Sequence, residues 1–325
     1  MLTKSDLDTA RSIVYAAMPA TPQYCWPLLC ERLGAEVWVK HENHTPIGAF
    51  KIRGGLVHMQ RRRERGDTGG VISATRGNHG QSIATAGRLN GIPVTIVVPL
   101  GNSLEKNAAM RAQGAELIEA GKDFDEAAGI ARQMADDRGL SMIPSFHEDL
   151  VHGVATYAAE LFDKTGTLDR VYVPIGLGSG ICGMIGVRDL MGLTTEIVGV
   201  VSTGAPAYLH SFKAQAVVAT NEANTFADGV AVRTPNADAL AIICKGAADV
   251  IAVDDGRIAD ALRILYQGTH NLAEGAGAVA LAGALAEKDR NAGKRVGVVL
   301  SGGNIDLELF ARVAGLAAAT ATDLS

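Results

Sequence analysis

Four segments of this chain contain continuous apolar runs, and they constrain the fold more than any other feature. Val94–Val98, Arg170–Ile175, Glu196–Ser202 and Val296–Leu300 include VTIVV, VYVPI, IVGVV and VGVVL. A strand that is apolar at every position is buried on both faces, as in a parallel sheet covered by helices. Because helical patterns such as Leu104–Gln113 lie between the runs, the sequence predicts an α/β fold with mostly parallel sheets flanked by helices.

The number of elements indicates more than one sheet. Further strands are predicted at Glu36–Lys40, Gly70–Ala74, Glu116–Glu119, Ser141–Pro144 and Val250–Val253. Further helices are predicted at Gln81–Leu89, Phe124–Asp137, Val154–Lys164, Arg257–Gln267 and Leu307–Ala319. These are more strands than one ordinary open sheet carries, so we expect two sheets and two lobes.

Composition excludes several classes of protein. The 325 residues carry 30 Lys+Arg against 35 Asp+Glu, and this net charge of −5 argues against nucleic-acid or anionic-membrane binding. None of the four cysteines has zinc-site spacing, so we expect reduced thiols. The N-terminus carries Asp6 and Asp8 and is not of the signal-peptide type, and no apolar stretch approaches the ~20 residues of a membrane span. We therefore expect a cytoplasmic protein.

The first motif with chemical character is HENHTPIGAFKIRGG, from His41 to Gly55. It follows a predicted strand, turns at Pro46 and Gly48, and enters a helix near Phe50. Lys51 is thereby predicted at a strand-to-helix junction, where α/β proteins place ligand sites. The alternative is a solvated lysine on a surface helix, because most lysines are exposed.

A second motif, SATRGNHGQ, runs from Ser73 to Gln81 at the end of a predicted strand. Small residues before a helix expose backbone N–H groups that bind a carboxylate or a phosphate. The alternative is a capping turn in which Thr75 or Asn78 caps the next helix.

The third and fourth motifs also follow predicted strands. Pro174–Gly183 is a glycine-rich turn that suits a phosphate, although it lacks the dinucleotide-binding spacing, and a plain structural turn is the alternative. Ser301–Asn304, with the sequence SGGN, has an ordinary βα turn as its alternative.

Strand ends in one α/β domain converge on one crevice. A lysine, a phosphate site and a hydroxyl for an aromatic nitrogen together suit pyridoxal 5′-phosphate.

These motifs, in this order, resemble the fold-type II pyridoxal-phosphate family of threonine/serine dehydratases, which includes serine racemase and has the tryptophan synthase β-like fold. The resemblance extends from Thr21 to the Ser301 motif. It implies a large cofactor-binding domain formed by residues 1–50 and 147–325, and a smaller α/β domain formed by residues 51–146. The active site would lie in the cleft between them.

The resemblance also implies roles for individual residues. Lys51, beside Phe50, would bind the cofactor covalently and act as the catalytic base. Asn78 would contact the cofactor 3-hydroxyl, and Ser301 the pyridine nitrogen. The phosphate would lie on Gly176, Leu177, Gly178, Ser179 and Gly180, and Glu274 would complete the cofactor site. Substrate would meet Thr75, Arg76, Asn78 and His79.

This sequence departs from the family pattern at several positions. Leu177 and Ser179 stand where glycine is usual, and Gly275 replaces a proline. The segment from Val200 to Ala207 lacks the acid found in metal-dependent relatives, so no metal site is expected. Arg76 stands where racemases carry a serine that acts as the second base.

The implied activity is β-elimination, a carbon–oxygen lyase reaction. A β-hydroxy-α-amino acid of the L-threonine/L-serine type, or 3-phenylserine, would give a 2-oxo acid and ammonia. An amino-acid racemase and a 3-hydroxyaspartate dehydratase are the alternatives, and the chain also resembles phenylserine and hydroxyectoine-utilisation dehydratases.

Arg76 would pair with a second carboxylate or stack on a ring, unless it points outward to a surface acid. A homodimer is expected.

Overall fold

The computed structural model describes residues 2–316, which form two sheets surrounded by helices. The strands are β1 (Gln23–Cys25), β2 (Glu36–His41), β3 (Val71–Ala74), β4 (Val94–Val98), β5 (Glu116–Glu119), β6 (Ser141–Met142), β7 (Arg170–Pro174), β8 (Glu196–Ser202), β9 (Asp249–Val253) and β10 (Arg295–Leu300). The helices are α1 (Lys4–Ala17), α2 (Pro27–Leu33), α3 (Lys51–Glu64), α4 (Asn78–Asn90), α5 (Leu104–Ala112), α6 (Phe124–Arg138), α7 (Glu148–Thr165), α8 (Ser179–Leu190), α9 (Ala207–Ala214), α10 (Ala237–Gly246), α11 (Asp255–Thr269), α12 (Gly275–Ala286), α13 (Lys288–Asn291) and α14 (Leu307–Ala314).

The larger sheet has the order β1-β2-β10-β7-β8-β9. All of its pairings are parallel except β1 with β2, which is antiparallel. Strand β7 is buried at every position, as its continuous apolar run predicts. The sequence did not predict β1, because its three residues, with Tyr24 and Cys25 exposed, carry neither an apolar run nor a clear alternation.

The smaller sheet has the order β5-β4-β3-β6, and all of its pairings are parallel. The prediction of two mostly parallel sheets flanked by helices is therefore confirmed. Every strand of the smaller sheet lies within residues 51–146, and every strand of the larger sheet lies outside them. The division into two domains at these boundaries stays a prediction.

Several helices differ from their predicted extent; α7, for example, begins at Glu148 and not at Val154. The last predicted helix, Leu307–Ala319, ends at Ala314, and its final three residues lie outside the described part of the chain. Helix α1 was not predicted, although Thr3 and Asp6 form a capping box at its start. Its buried residues Ala10 and Val14 pack in one apolar cluster with residues of the smaller sheet.

A buried ion cluster fixes the start of α3. The Arg53 guanidinium is fully buried, with Nε 2.7 Å from Glu42 and Nη1 2.6 Å from Glu160. Lys40, on β2, also pairs with Glu160 at 2.5 Å. Removing one partner from such a buried pair leaves an uncompensated charge, which costs ~3–5 kcal/mol. The cluster therefore ties β2, α3 and α7 together two residues after Lys51.

No helix within residues 2–316 has both the length and the apolar character needed to cross a bilayer.

Candidate active site

The strand ends of both sheets border one pocket of about 520 Å³. Thr75 follows β3, Gly176 follows β7 and Ser301 follows β10, so the predicted convergence of the motifs is observed. Every residue predicted for the site lines this pocket: Phe50, Lys51, Thr75, Arg76, Asn78, His79, Gly176, Leu177, Gly178, Ser179, Gly180, Glu274 and Ser301.

Lys51 is the first residue of α3 and lies in the pocket rather than on a solvated surface helix. Its Nζ is 5.0 Å from the centre of the Phe50 ring. Burial lowers the pKa of Lys51 to about 8, and the Glu274 carboxylate opposes this shift only in part. A lysine with this pKa has a substantial unprotonated fraction near neutral pH, so its amine is available as a nucleophile or a base.

Ser301 lies beside the start of α3. Its backbone carbonyl accepts a hydrogen bond from the Phe50 N–H at 3.0 Å, and an isolated bridge joins Ala49 to Gly302. The Ser301 side chain is buried and donates weakly to the Ala276 carbonyl, at 3.3 Å. A neutral hydroxyl is therefore held on the same side of the pocket as Lys51.

Asn78, the first residue of α4, is held on both sides of its amide. Its Nδ2 donates to Glu274 at 2.6 Å, and its Oδ1 accepts from Asn304 at 2.8 Å. Asn304 also donates to the Ile47 carbonyl at 2.8 Å. The motifs around Asn78, Glu274 and Ser301–Asn304, which are far apart in sequence, are thus joined by direct hydrogen bonds.

The alternative interpretation, a turn in which Thr75 or Asn78 caps α4, is not observed. The N-cap of α4 is Gly77, and no side chain caps it. The Thr75 hydroxyl instead accepts the Gly77 N–H at 3.0 Å and shapes the turn before the helix. The first N–H groups of α4 are consequently left without a side-chain partner at the pocket, and such groups favour an anion.

Most helix starts at the pocket share this lack of a cap. Helices α3, α8 and α12 begin without a side-chain cap, and α8 begins in the glycine-rich turn. By contrast, Ser103 caps α5, and Asp123 caps α6, which also starts at the pocket. Uncapped helix starts around one pocket give it N–H donors for a phosphate and a carboxylate.

The glycine-rich turn can pack this closely against its neighbours only because side chains are missing at Gly176 and Gly178. Gly178 has φ +105°, and an added Cβ would lie 2.6 Å from the Ala239 Cβ. A Cβ on Gly176 would clash with the Gly229 carbonyl oxygen. The buried Tyr208 hydroxyl donates to the Leu177 carbonyl at 3.0 Å, which holds the turn in place. These features fit the phosphate of pyridoxal 5′-phosphate.

His79 also lines the pocket. Its side chain is buried, and its Nε2 has no hydrogen-bond partner within residues 2–316. Burial and the nearby Lys51 lower the pKa of His79 to about 3, so the ring is neutral.

Sequence reasoning missed Lys106, which also lines the pocket. Its Nζ lies 2.6 Å from Asp228 and 3.4 Å from Glu274. Burial opposes the charge of Lys106, but the Glu274 and Asp228 carboxylates raise the pKa of Lys106 above its ordinary value. Burial likewise raises the pKa of Glu274, against the effect of Lys106. These three residues are widely separated in sequence, so no local motif signals the triad.

Arg76 is exposed on the pocket wall. Within the described residues its guanidinium has no ion-pair partner, so the surface acid considered for it is not found there. Arg233, on another part of the wall, is instead paired with Asp125. Within residues 2–316, the Arg76 guanidinium therefore remains available to pair with a ligand, whereas that of Arg233 does not.

The segment predicted to lack a metal site is held by hydrogen bonds. The Ser202 hydroxyl donates to Asp255 at 3.1 Å and accepts the Gly204 N–H at 3.1 Å. Elsewhere, His58, His147 and Asp149 place possible ligand atoms within 4.8 Å of one another, but Asp149 is also bonded to Arg61 at 2.6 Å. The absence of a metal requirement stays a prediction.

Comparisons with known proteins agree with the site. Residues 17–302 match the family model described as pyridoxal-phosphate dependent enzyme. A Saccharomyces cerevisiae L-threo-3-hydroxyaspartate ammonia-lyase is 31% identical, over 95% of each chain. A Schizosaccharomyces pombe serine racemase is 29% identical, over 95% of this chain and 96% of the relative. The processed form of threonine deaminase isoform 2 from Solanum lycopersicum superimposes with a TM-score of 0.87 at 29% identity, over 98% of this chain and 95% of that one. The chain therefore belongs to the family of pyridoxal-phosphate dependent enzymes, in the threonine/serine dehydratase group of fold type II, and its cofactor is pyridoxal 5′-phosphate.

Proposed function

We propose that this enzyme eliminates the β-hydroxyl of a β-hydroxy-α-amino acid and releases a 2-oxo acid and ammonia. The observation that carries the proposal is that Lys51 and Ser301 line the same pocket. Burial lowers the pKa of Lys51 to about 8, and the Ser301 hydroxyl is neutral. Two relatives support the same reaction class, because one is named an ammonia-lyase and the other a threonine deaminase.

Five parts of the pocket would hold the cofactor. Lys51 would bind it covalently, Ser301 would face its ring nitrogen, and Asn78 would face its 3-hydroxyl. The turn of residues 176–180 would take the phosphate, and Phe50 would lie beside the ring. Pyridoxal 5′-phosphate, when bound, withdraws electrons from the Cα–H bond of the substrate.

Lys51 is the proposed base for the Cα proton. Lys51 would hold the cofactor, and burial lowers the pKa of Lys51 to about 8, so its free amine would accept a proton near neutral pH. The Ser301 hydroxyl carries no negative charge that would stabilise a proton on the ring nitrogen. The bound cofactor would then be a weaker electron sink, which would favour elimination over transamination.

For the substrate, we propose a β-hydroxy amino acid with a second carboxylate, of the 3-hydroxyaspartate type. Thr75 and the uncapped start of α4 would take the α-carboxylate. Arg76, exposed on the same wall, would pair bidentately with the other carboxylate. The yeast relative carries this substrate in its name. A 3-phenylserine ring stacked on the Arg76 guanidinium is the second candidate.

The test is a comparison of substrates in matched variants. Oxo-acid release is measured for L-threonine, L-serine, 3-hydroxyaspartate and 3-phenylserine in the wild type, Arg76→Ala and Arg88→Ala. Arg88 is an exposed arginine on α4, the helix that begins two residues after Arg76, and serves as the control. Loss of a charge-assisted hydrogen bond costs ~1.5–3 kcal/mol, so we expect Arg76→Ala to lower kcat/KM for 3-hydroxyaspartate roughly tenfold to a hundredfold.

The other outcomes separate the alternatives. A selective loss for 3-phenylserine would support ring stacking, whereas equal small losses for all four substrates would show that Arg76 does not determine specificity. Racemisation needs a second base on the opposite face, and a guanidinium is not deprotonated in proteins. We therefore expect little D-enantiomer from an L-substrate, and its rapid formation would contradict the assignment as a dehydratase.

A further inference from the structure

We propose that Cys25 and Cys30 form a dithiol site that a small-molecule disulfide, such as glutathione disulfide, oxidises reversibly to an intramolecular disulfide. Their Sγ atoms lie 3.5 Å apart. Cys25 ends β1 and is exposed, whereas Cys30 lies in α2 and is half-buried. One sulfur is therefore reachable from solvent, and the other lies directly behind it.

The backbone on both sides of this dithiol is already fixed. Cys25 pairs with Trp38 in the antiparallel contact between β1 and β2. The Cys30 N–H donates to the Trp26 carbonyl at 2.9 Å, in the first turn of α2. A disulfide bond is about 2.05 Å long, so the sulfurs must approach by about 1.5 Å, which is a side-chain movement. The geometry thus favours a link within the chain over one between chains.

The remaining cysteines are poorer candidates. Cys182 is buried and its sulfur is 3.6 Å from the Ala239 carbonyl oxygen, and burial raises the pKa of its thiol. Cys244 is half-buried, and the close contact between two cysteine sulfurs within residues 2–316 is that of Cys25 with Cys30. Partial burial and the Cys30 thiol raise the pKa of Cys25 to about 11, so oxidation of the dithiol should become faster as the pH rises.

The reaction is a two-step thiol–disulfide exchange. One thiolate of the pair attacks glutathione disulfide, forms a mixed disulfide and releases one glutathione. The second thiolate then attacks the protein sulfur of the mixed disulfide and releases the other glutathione. The two thiol protons end on the two released glutathione molecules, and two electrons pass from the protein to the oxidant.

The site lies next to the segment that leads to Lys51. Trp26, between the two cysteines, donates its Nε1–H to His41 at 2.9 Å, and His41 ends β2. The intrinsic fluorescence of Trp26 should therefore report the oxidation without any measurement of catalysis.

The experiment treats the full-length holoenzyme with glutathione disulfide, quenches it with acid and counts free thiols in denaturant. We expect the count to fall from the four cysteines of the chain to two, a non-reducing peptide map to link Cys25 to Cys30, and dithiothreitol to reverse both. Cys25→Ser should stop the link and the fluorescence change and leave at most a glutathione adduct on Cys30. Cys244→Ser is the matched control and should still lose two thiols.

Several results would overturn the proposal. One is a thiol count that stays at four. Others are a glutathione adduct on Cys25 that never links to Cys30, and a link that joins two chains. A disulfide that still forms in Cys25→Ser would also show that the wrong pair had been assigned.

Discussion

Asn78 donates a hydrogen bond to Glu274 across the pocket, with 2.6 Å between Nδ2 and Oε1. Glu274 is buried and also contacts Lys106, so this amide joins the start of α4 to the acidic side of the pocket. Asn304 fixes the other end of the same amide at 2.8 Å. The orientation of Asn78 is therefore set by the protein before any ligand binds.

Asn78→Ala should weaken cofactor binding and lower the free energy of unfolding. The change leaves a buried carboxylate oxygen without its donor, which costs ~1–3 kcal/mol. Cofactor affinity is measured by fluorescence titration, and stability by urea denaturation. Asn90→Ala, at the other end of α4, is the control because its Nδ2 donates only to the Ala86 carbonyl. Equal behaviour of the two variants would show that Asn78 is not a binding residue.

Lys51→Met should stabilise the cofactor-free protein at pH 7. Burial lowers the pKa of Lys51 from 10.5 to about 8, so below pH 8 the folded state carries an unfavourable buried charge. Between pH 8 and 10.5 the unfolded state binds the extra proton, and wild-type stability recovers relative to the variant. The shift sets an upper bound of about 3 kcal/mol on the difference.

The measurement is urea denaturation of both proteins at several pH values, with Lys213→Met as an exposed control. A stability difference that is the same at pH 7 and pH 10.5 would contradict the lowered pKa of Lys51.

Gly178→Ala should lower both stability and cofactor affinity. The residue has φ +105° and an added Cβ would lie 2.6 Å from the Ala239 Cβ, so backbone strain of ~1–3 kcal/mol and a steric clash act together. Gly192→Ala isolates the strain, because Gly192 has φ +64° with open space around its Cβ position. Denaturation midpoints no lower for Gly178→Ala than for Gly192→Ala would contradict the packing argument.

Dialysis against a chelator should leave turnover unchanged. The segment from Val200 to Ala207 has no acid, and Ser202 is hydrogen-bonded to Asp255. A large loss of activity that magnesium or calcium restores would show that a cation site exists despite this sequence.

The sequence predicted the fold well where burial was uniform. The runs of β7, β8 and β10 are apolar throughout and were placed within a residue of their observed ends. It failed where contacts between distant segments decide the structure. Strand β1 is recognisable only through its pairing with β2, and α1 mainly through packing against α3 and α7.

The residues of the candidate site were likewise predicted only where a local sequence motif carries them. Lys51, Asn78 and Ser301 belong to local motifs, and each motif predicted its own turn. Lys106 does not, because its position in the pocket follows only from its pairing with Asp228 and Glu274. The alternative of a capping turn before α4 is not observed, because the Thr75 hydroxyl accepts the N–H of Gly77, before the helix begins.

The central claim is that Lys51 binds pyridoxal 5′-phosphate covalently, and reductive trapping tests it most directly. The holoenzyme is reduced with borohydride and digested, and the peptide carrying the cofactor is sequenced by mass spectrometry. The account predicts a single label, on Lys51, and no label in Lys51→Ala. A label on Lys106, the other lysine that lines the pocket, would contradict it.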